Sequence, residues 1–530
     1  MTRTFIAAGL SAVVLSTVIP ATVIADRIQV DGGLISGSTE DGVRIYRGVP
    51  FAAPPVGDRR WRAPAPVEPW DGVRDCSSFA SACPQPPYPQ NSIYAREPEP
   101  ADEDCLYLNV WTTAASDDEP RPVMVWIHGG ALTRGSGSHP AYDGASLARK
   151  GVVVVTINYR LGPLGFLAHP ELSAESEHDA SGNYGLLDQI AALKWVQRNI
   201  SNFGGDADRV TIFGESAGSW SVNALVASPL AAGLFHRAIG QSGGSFGPNT
   251  HLRQDPYGEL TAEEMGLAVA EALEVSTPAA LRPVPVDKLL APVNNDAQGT
   301  EFNSRPNVDG WVLPQEIRAI YAAGEQNKVP TLVGSNADEM TSLVPSIGVP
   351  KTLKALKGVL ATRAPGAGDE FFTYYPAATD AEAARAFLDG VRDMVFTSPM
   401  RSWARATVAA GQPTFHYFFT YRPPGANRDY LRAYHAAEIV YVFDNLHVRL
   451  DRDDGADVVS ASDQQLADTL SQYWVNFAAG GDPNGDGLPE WPAYGDDEAY
   501  LEIGETMRVG NHLLADQLDF WERVQSSENN

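Results

Sequence analysis

Ser216 stands between two glycines in Gly214-Glu215-Ser216-Ala217-Gly218, directly after the apolar run Val210-Thr211-Ile212-Phe213. A serine hydroxyl is a weak nucleophile at neutral pH. It attacks a carbonyl when a neutral imidazole takes its proton and a carboxylate orients that imidazole. Glycines on both sides let a strand turn sharply into a helix, which projects the corner side chain outward beside a helix N-terminus. The spacing nominates Ser216 as the nucleophile of an acyl transfer, provided a base, an acid and oxyanion donors lie elsewhere in the chain.

In sheets with such a corner, the acid and then the histidine follow the serine in sequence. The stretch VPTLVGSNADEM offers Asp338 and Glu339 just past a strand-like run. The histidines further on are His416, His435, His447 and His512. His416 lies inside the strand-like TFHYFF and reads as a packed residue. His435 lies in AYHAAEIVYVF, a loop-to-helix passage, and is the preferred base. At an ordinary histidine pKa, activity would fall below about pH 6–6.5. Oxyanion donors are expected from the glycine-rich loop VWIHGGALTRGSGS, where Gly129, Gly130 and Ala131 can bring N–H groups close to a substrate; Ala217 supplies the next. His128 reads as a support for that loop. Glu215 reads either as an electrostatic partner in the site or as a structural hydrogen-bonder. Ser242, in GQSGG, reads either as a near-site hydroxyl or as a turn residue.

The elements that must position these residues are legible as alternating runs. PVMVWIHGG (122–130), GVVVVTINYR (151–160), VTIFGES, AIGQSGG (238–244), VPTLVGS (329–335) and TFHYFFTY (414–421) read as strands. GLLDQIAALKWVQRNI (185–200) places Leu186, Leu187, Ile190, Leu193, Val196 and Ile200 on one helical face. Strand and helix alternating over some 300 residues imply an α/β fold: a large, mostly parallel sheet with helices on both faces. The intervals 245–328 and 341–413 carry helical patterns such as TAEEMGLAVAEAL and DAEAARAFLDGV. They follow strands, where ligand clefts form, and read as cap excursions over the site. Residues 54–104 are rich in proline and polar groups and read as loop. No linker is evident, so residues 26–530 read as one domain.

The formal net charge is −27, from 39 basic and 66 acidic residues. So acidic a chain is a poor partner for nucleic acid or anionic membranes. Residues 1–25 read as an export signal: Arg3, an apolar run from Phe5 to Ile24, then Val23-Ile24-Ala25 before the charge resumes at Asp26. Cleaved, they imply a secreted or periplasmic protein with no membrane span; the alternative is an uncleaved membrane anchor, for which the run is about long enough. Export makes a disulfide reasonable among Cys76, Cys83 and Cys105. Cys83 with Cys105 would close a modest loop and leave Cys76 as a small buried hydrophobe. DPNGDG (482–487) resembles the start of a calcium loop, but its twelfth position is Ala493, so the pattern fails. Neither cofactor nor metal is called for; the expected partner is a small-molecule ester.

Longer motifs carry a resemblance over nearly the whole chain. RGVPFAAPPVGDRRWRAP (47–64), EDCLYLNVW (103–111), INYRLGPLGFL, GNYGLLDQIAALKWVQRNISNFGGDADRVTIFGESAGS, GQSGG, YWVNFAAGGDPN and WPAY are similar to those of type B carboxylesterases. These are the cholinesterase-like and para-nitrobenzyl-esterase-like α/β-hydrolases. The resemblance implies ester hydrolysis through an acyl-enzyme. It gives Ser216 the nucleophile's place, Glu339 rather than Asp338 the acid's, and His435 the base's, followed by Glu438. Gly130, Ala131 and Ala217 take the oxyanion places. It pairs Cys83 with Cys105 and implies buried ion pairs of Arg60 with Glu103 and Arg160 with Asp188. The chain departs from the family where Gly129-Gly130-Ala131-Leu132 replaces three glycines and an aromatic, and where Met340 follows Glu339 in place of glycine. Residues 84–102 contain no tryptophan, which argues against choline esters. An amidase or peptidase would use the same residues on a harder leaving group, whereas a binding protein of this fold would lack members of the set.

Overall fold

The apolar runs seen in the sequence become the middle of one large sheet. The structure, a computed structural model, describes residues 23–24, 26–114, 119–294, 305–344, 348–364, 366–425, 427–448 and 459–527. Its main sheet has twelve strands: β1 Val23–Ile24, β2 Ser38–Glu40, β3 Val43–Pro50, β4 Tyr107–Thr112, β5 Arg121–Ile127, β6 Val153–Ile157, β7 Gly205–Glu215, β8 Arg237–Gln241, β9 Thr331–Asn336, β10 Thr414–Phe419, β11 Ala499–Ile503 and β12 Arg508–Asn511. In space they run β1-β2-β3-β4-β6-β5-β7-β8-β9-β10-β11-β12. From β6 to β11 every pairing is parallel. Antiparallel strands close both sides of that block.

Parallel strands need cover on both faces, and the residues of β5 divide accordingly. Val123, Val125 and Ile127 pack in one core with helices α1 (Tyr184–Asn199), α2 (Ala217–Ala227) and α3 (Ser398–Ala409). Met124 and Trp126 point the other way, into a core shared with helix α4 (Ala461–Gly480) through Leu466, Leu470 and Trp474. The apolar positions expected for α1 are all buried. The patterns in the two excursions form helices Ala262–Ala272 and Asp380–Arg392, each opened by a threonine capping box that satisfies first-turn N–H groups.

The expected ion pairs form. Arg160 donates from Nε and Nη2 to both Asp188 oxygens at 2.7 Å, and Arg60 does the same to Glu103 at 2.7 and 2.5 Å. Cys83 and Cys105 are bonded, and Cys76 is a buried free thiol. No described helix is long and apolar enough to cross a membrane. The export signal expected over residues 1–25 lies outside the described residues except for Val23–Ile24, which pair with Ser38–Thr39.

Candidate active site

Three strands of the parallel block, β7, β9 and β10, lead into the site from their carboxyl ends, where such sheets form clefts. Strand β7 ends at Glu215, and Ser216 makes the turn into α2. Ser216 has φ 56° and ψ −123°, a conformation that few residues other than glycine adopt. The flanking glycines permit it. A Cβ on Gly218 would lie 2.0 Å from the Ile127 carbonyl oxygen, and one on Gly214 would lie 2.6 Å from the same atom. The Ser216 N–H is tied to the Gln241 carbonyl at 2.9 Å, fixing the corner to the end of β8.

His435 follows β10 and is almost fully buried. Its Nδ1 lies 2.6 Å from Glu339 Oε2, directly after β9. The other Glu339 oxygen accepts the Asn336 N–H at 2.6 Å. Asp338, the alternative acid in the sequence, turns away: its carboxylate takes Arg385 at 2.8 Å and Arg432 at 3.4 Å. Tyr94 donates its hydroxyl to the His435 carbonyl at 2.7 Å, and the Phe396 ring lies 4.9 Å from the imidazole. Tyr94 comes from the segment read as plain loop; proline-rich sequence gives no periodicity to announce a contact.

The second imidazole nitrogen, Nε2, faces Glu215 Oε1 at 3.1 Å. One buried ring therefore sits between two carboxylates. Burial alone would lower the His435 pKa, but the charges of Glu215 and Glu339 and the Glu339 hydrogen bond outweigh it and push it up to about 9. This replaces the ordinary value expected from sequence. Burial holds Glu215 well above the usual carboxylate range; His435 opposes this, and the charges of Glu438 and Glu339 add to it. Glu215 and His435 thus titrate as a pair. Behind them Glu438 accepts Gln241 Nε2 at 2.9 Å and Asn336 Nδ2 at 2.6 Å. Trp474 Nε1 donates to Gln241 Oε1 at 3.0 Å. Gln241, Asn336 and Trp474 were not singled out in the sequence, because polar residues inside strands and helices carry no spacing signal.

His128 is buried, and its ring stacks on Tyr159 with centroids 4.4 Å apart. Burial lowers its pKa to about 4, so it is neutral, and its Nδ1 lies 2.8 Å from the Gly129 carbonyl oxygen. Gly130 has φ 108° and Ala131 φ 56°. Among the described residues, the N–H groups of Gly130, Ala131 and Ala217 donate to no backbone carbonyl. Ser242 is buried, with φ 55°, and its hydroxyl has no hydrogen-bond partner among the described residues, so it makes no direct link to His435 or Glu339.

Ser216, Glu215, Gly129, Gly130, Ala131 and His435 all line one cavity of about 780 Å³. Tyr88, Tyr94 and Arg96 of the disulfide-closed segment form part of its wall. The second excursion contributes Leu343 and Phe396; the first, expected to cap the site, contributes no lining residue among the described residues and only sets the Arg305 guanidinium 5.9 Å from the ring of the lining Trp220. A half-buried serine, a buried imidazole and a buried carboxylate beside free N–H groups, around a roomy cavity open to solvent, suit acyl transfer to a small molecule.

Comparisons with known proteins agree with this chemistry. The sequence model of the "Carboxylesterase family" matches residues 25–521. The chain is 37% identical to the fumonisin B1 esterase of Sphingopyxis macrogoltabida over 97% of its length and 93% of that protein. It is 37% identical to the para-nitrobenzyl esterase of Bacillus subtilis over 91% and 94% of the two chains. The solved carboxylesterase of Geobacillus stearothermophilus superposes with a TM-score of 0.79 at 34% identity, over 93% of this chain and 99% of that one. The chain belongs to the carboxylesterase family and is a carboxylic ester hydrolase with the α/β-hydrolase fold.

Proposed function

We propose that Ser216, His435 and Glu339 are the catalytic triad of this esterase. Gly130, Ala131 and Ala217 supply the oxyanion donors. The observation that carries the reading is the 2.6 Å contact of His435 Nδ1 with Glu339, on a ring that shares its cavity with Ser216. In this reading Ser216 Oγ attacks the ester carbonyl while His435 Nε2 takes its proton. The three N–H groups hold the negative charge that develops on the carbonyl oxygen, each worth roughly 3–4 kcal/mol in comparable sites. His435 then protonates the departing alcohol as the carbonyl carbon–oxygen single bond breaks. Water repeats the sequence on the acyl-enzyme and releases the acid. Glu339 fixes the imidazole tautomer and stabilises its cationic form. Glu215 faces Nε2 of the resting imidazole at 3.1 Å and gives up Nε2 to Ser216 when substrate binds.

Ser216→Ala is expected to abolish hydrolysis of a short-chain aryl ester while leaving the far-ultraviolet circular dichroism unchanged. Retained turnover in the folded variant would contradict the assignment. The names of the relatives support small esters as the substrate class, with fumonisin B1 and para-nitrobenzyl esters as first trials. Residues 1–25 are proposed to direct export and residues 26–530 to form one domain, in keeping with the Cys83–Cys105 bond.

A further inference from the structure

Two arginines line the cavity that holds Ser216 and His435, and they differ in how their charge is met. Arg96 Nη2 lies 3.1 Å from Glu99 Oε1, and Glu99 is itself anchored by the hydroxyls of Ser136 and Ser138 at 2.8 and 2.6 Å. Arg134 meets no carboxylate among the described residues. Its Nε donates to the Pro87 carbonyl at 3.3 Å and its Nη1 to the Thr133 hydroxyl at 3.1 Å, while the guanidinium carbon lies 5.7 Å from the Tyr88 ring centroid. Nη2 has no protein partner among the described residues.

In this Arg134 differs from the most buried arginines of the chain and resembles Arg237, a half-buried arginine away from the cavity whose Nε and Nη1 have no hydrogen-bond partner among the described residues. The four arginines that are fully buried among the described residues, Arg60, Arg160, Arg392 and Arg401, each bind at least one carboxylate. With 66 acidic residues against 39 basic ones, a counter-charge is the common outcome. Arg134 is half-buried, and desolvation pulls its pKa below the ordinary guanidinium value, although it stays a cation. A partly desolvated cation without a counter-ion is stabilised by an arriving anion.

The position of Arg134 is also fixed. The Gly130 carbonyl accepts the N–H of both Thr133 and Arg134, at 3.1 and 2.9 Å. Gln85 then clamps Gly135 from both sides, at 2.7 and 2.8 Å. Arg134 is therefore tied by one tight turn to the loop that carries Gly130 and Ala131. The charge sits on the wall of the reacting cavity, at a set place relative to the ester carbonyl.

We propose that Arg134 is a specificity-determining residue that binds a free carboxylate carried by the ester substrate, so that the preferred substrates are half-esters or other esters bearing a carboxylate. A single unpaired guanidinium matches one carboxylate in charge and in its forked hydrogen-bonding geometry. Within this cavity Arg96 already has its acid, so a dianionic group would be only half neutralised. The inference rests on the reading of Ser216 as the nucleophile and adds the class of substrate to it.

The test uses the purified full chain and two chromogenic esters of similar size: mono-para-nitrophenyl glutarate, which carries a carboxylate, and para-nitrophenyl pentanoate, which does not. The quantity read is the ratio of kcat/KM for the anionic ester to that for the neutral one. Arg134→Gln is expected to lower this ratio about tenfold to a hundredfold, mainly through KM of the anionic ester. Arg134→Lys, which keeps the charge but loses the fork, is expected to fall between the two. Raising the salt to about 0.5 M is expected to lower the ratio in the parent enzyme. A ratio that is the same in the parent and in Arg134→Gln overturns the proposal, even if both rates fall together, since that outcome assigns Arg134 to holding the loop. Turnover of the neutral ester by the parent leaves the triad standing in that case, so the two readings fail separately.

Discussion

At the scale of residues, the proton affinity of His435 is set by two carboxylates rather than one, Glu339 at Nδ1 and Glu215 at Nε2. The sign of the effect on rate follows. A base with a raised pKa stays protonated, and idle, until the pH approaches that value. The rising limb of kcat/KM is therefore expected above pH 6.5, with the rate still climbing between pH 7 and 9. Glu215→Gln removes one of the charges that raise the pKa, so the limb should move to lower pH. An unshifted limb in that variant would remove Glu215 from the account. Ser216 and His435 were legible because the glycine spacing and the loop-to-helix setting are local signals. Asp338 and Glu339 are adjacent, so spacing could not separate them and only the family resemblance favoured Glu339. What separates them is tertiary: Arg385 and Arg432 occupy Asp338, while Glu339 is left to the imidazole.

At the scale of elements, the corner after β7 depends on contacts that a side chain would destroy. A Cβ on Gly218 would fall 2.0 Å from a backbone carbonyl of β5, which cannot move without breaking the sheet. Gly218→Ala is expected to destabilise the fold by roughly 2–4 kcal/mol and to lose most activity, measured by denaturant unfolding and aryl-ester hydrolysis. A variant of full stability and activity would show that the corner tolerates what the geometry forbids. Strands β5 and β6 were legible as unbroken apolar runs because both of their faces are covered. Strand β4 and helix α4 were quoted for their motifs but not read as elements. Tyr107–Thr112 mixes Asn109 and Thr112 into its run, and those side chains are satisfied by Thr156 and the Phe203 carbonyl, partners that only the fold supplies. The segment between Cys83 and Cys105 shows the same limit: it has no repeating pattern, yet it supplies Tyr88, Tyr94 and Arg96 to the cavity wall.

At the scale of the whole molecule, the α/β class came through from sequence because helix and strand patterns alternate over most of the chain. The last two strands, β11 and the antiparallel edge strand β12, did not, since short strands at a sheet margin have weak patterns. The proposed export signal is tested on the same scale. N-terminal sequencing of protein recovered from outside the cytoplasm is expected to begin at Asp26; a chain that begins at Met1 would refute cleavage. The central claim, that Ser216 forms the acyl-enzyme, is tested most directly by covalent trapping. After exposure to a fluorophosphonate, intact mass and peptide mapping should show one adduct per chain, on Ser216, with hydrolysis lost in proportion. An adduct on another residue, or full hydrolysis after Ser216 is stoichiometrically blocked, would contradict it.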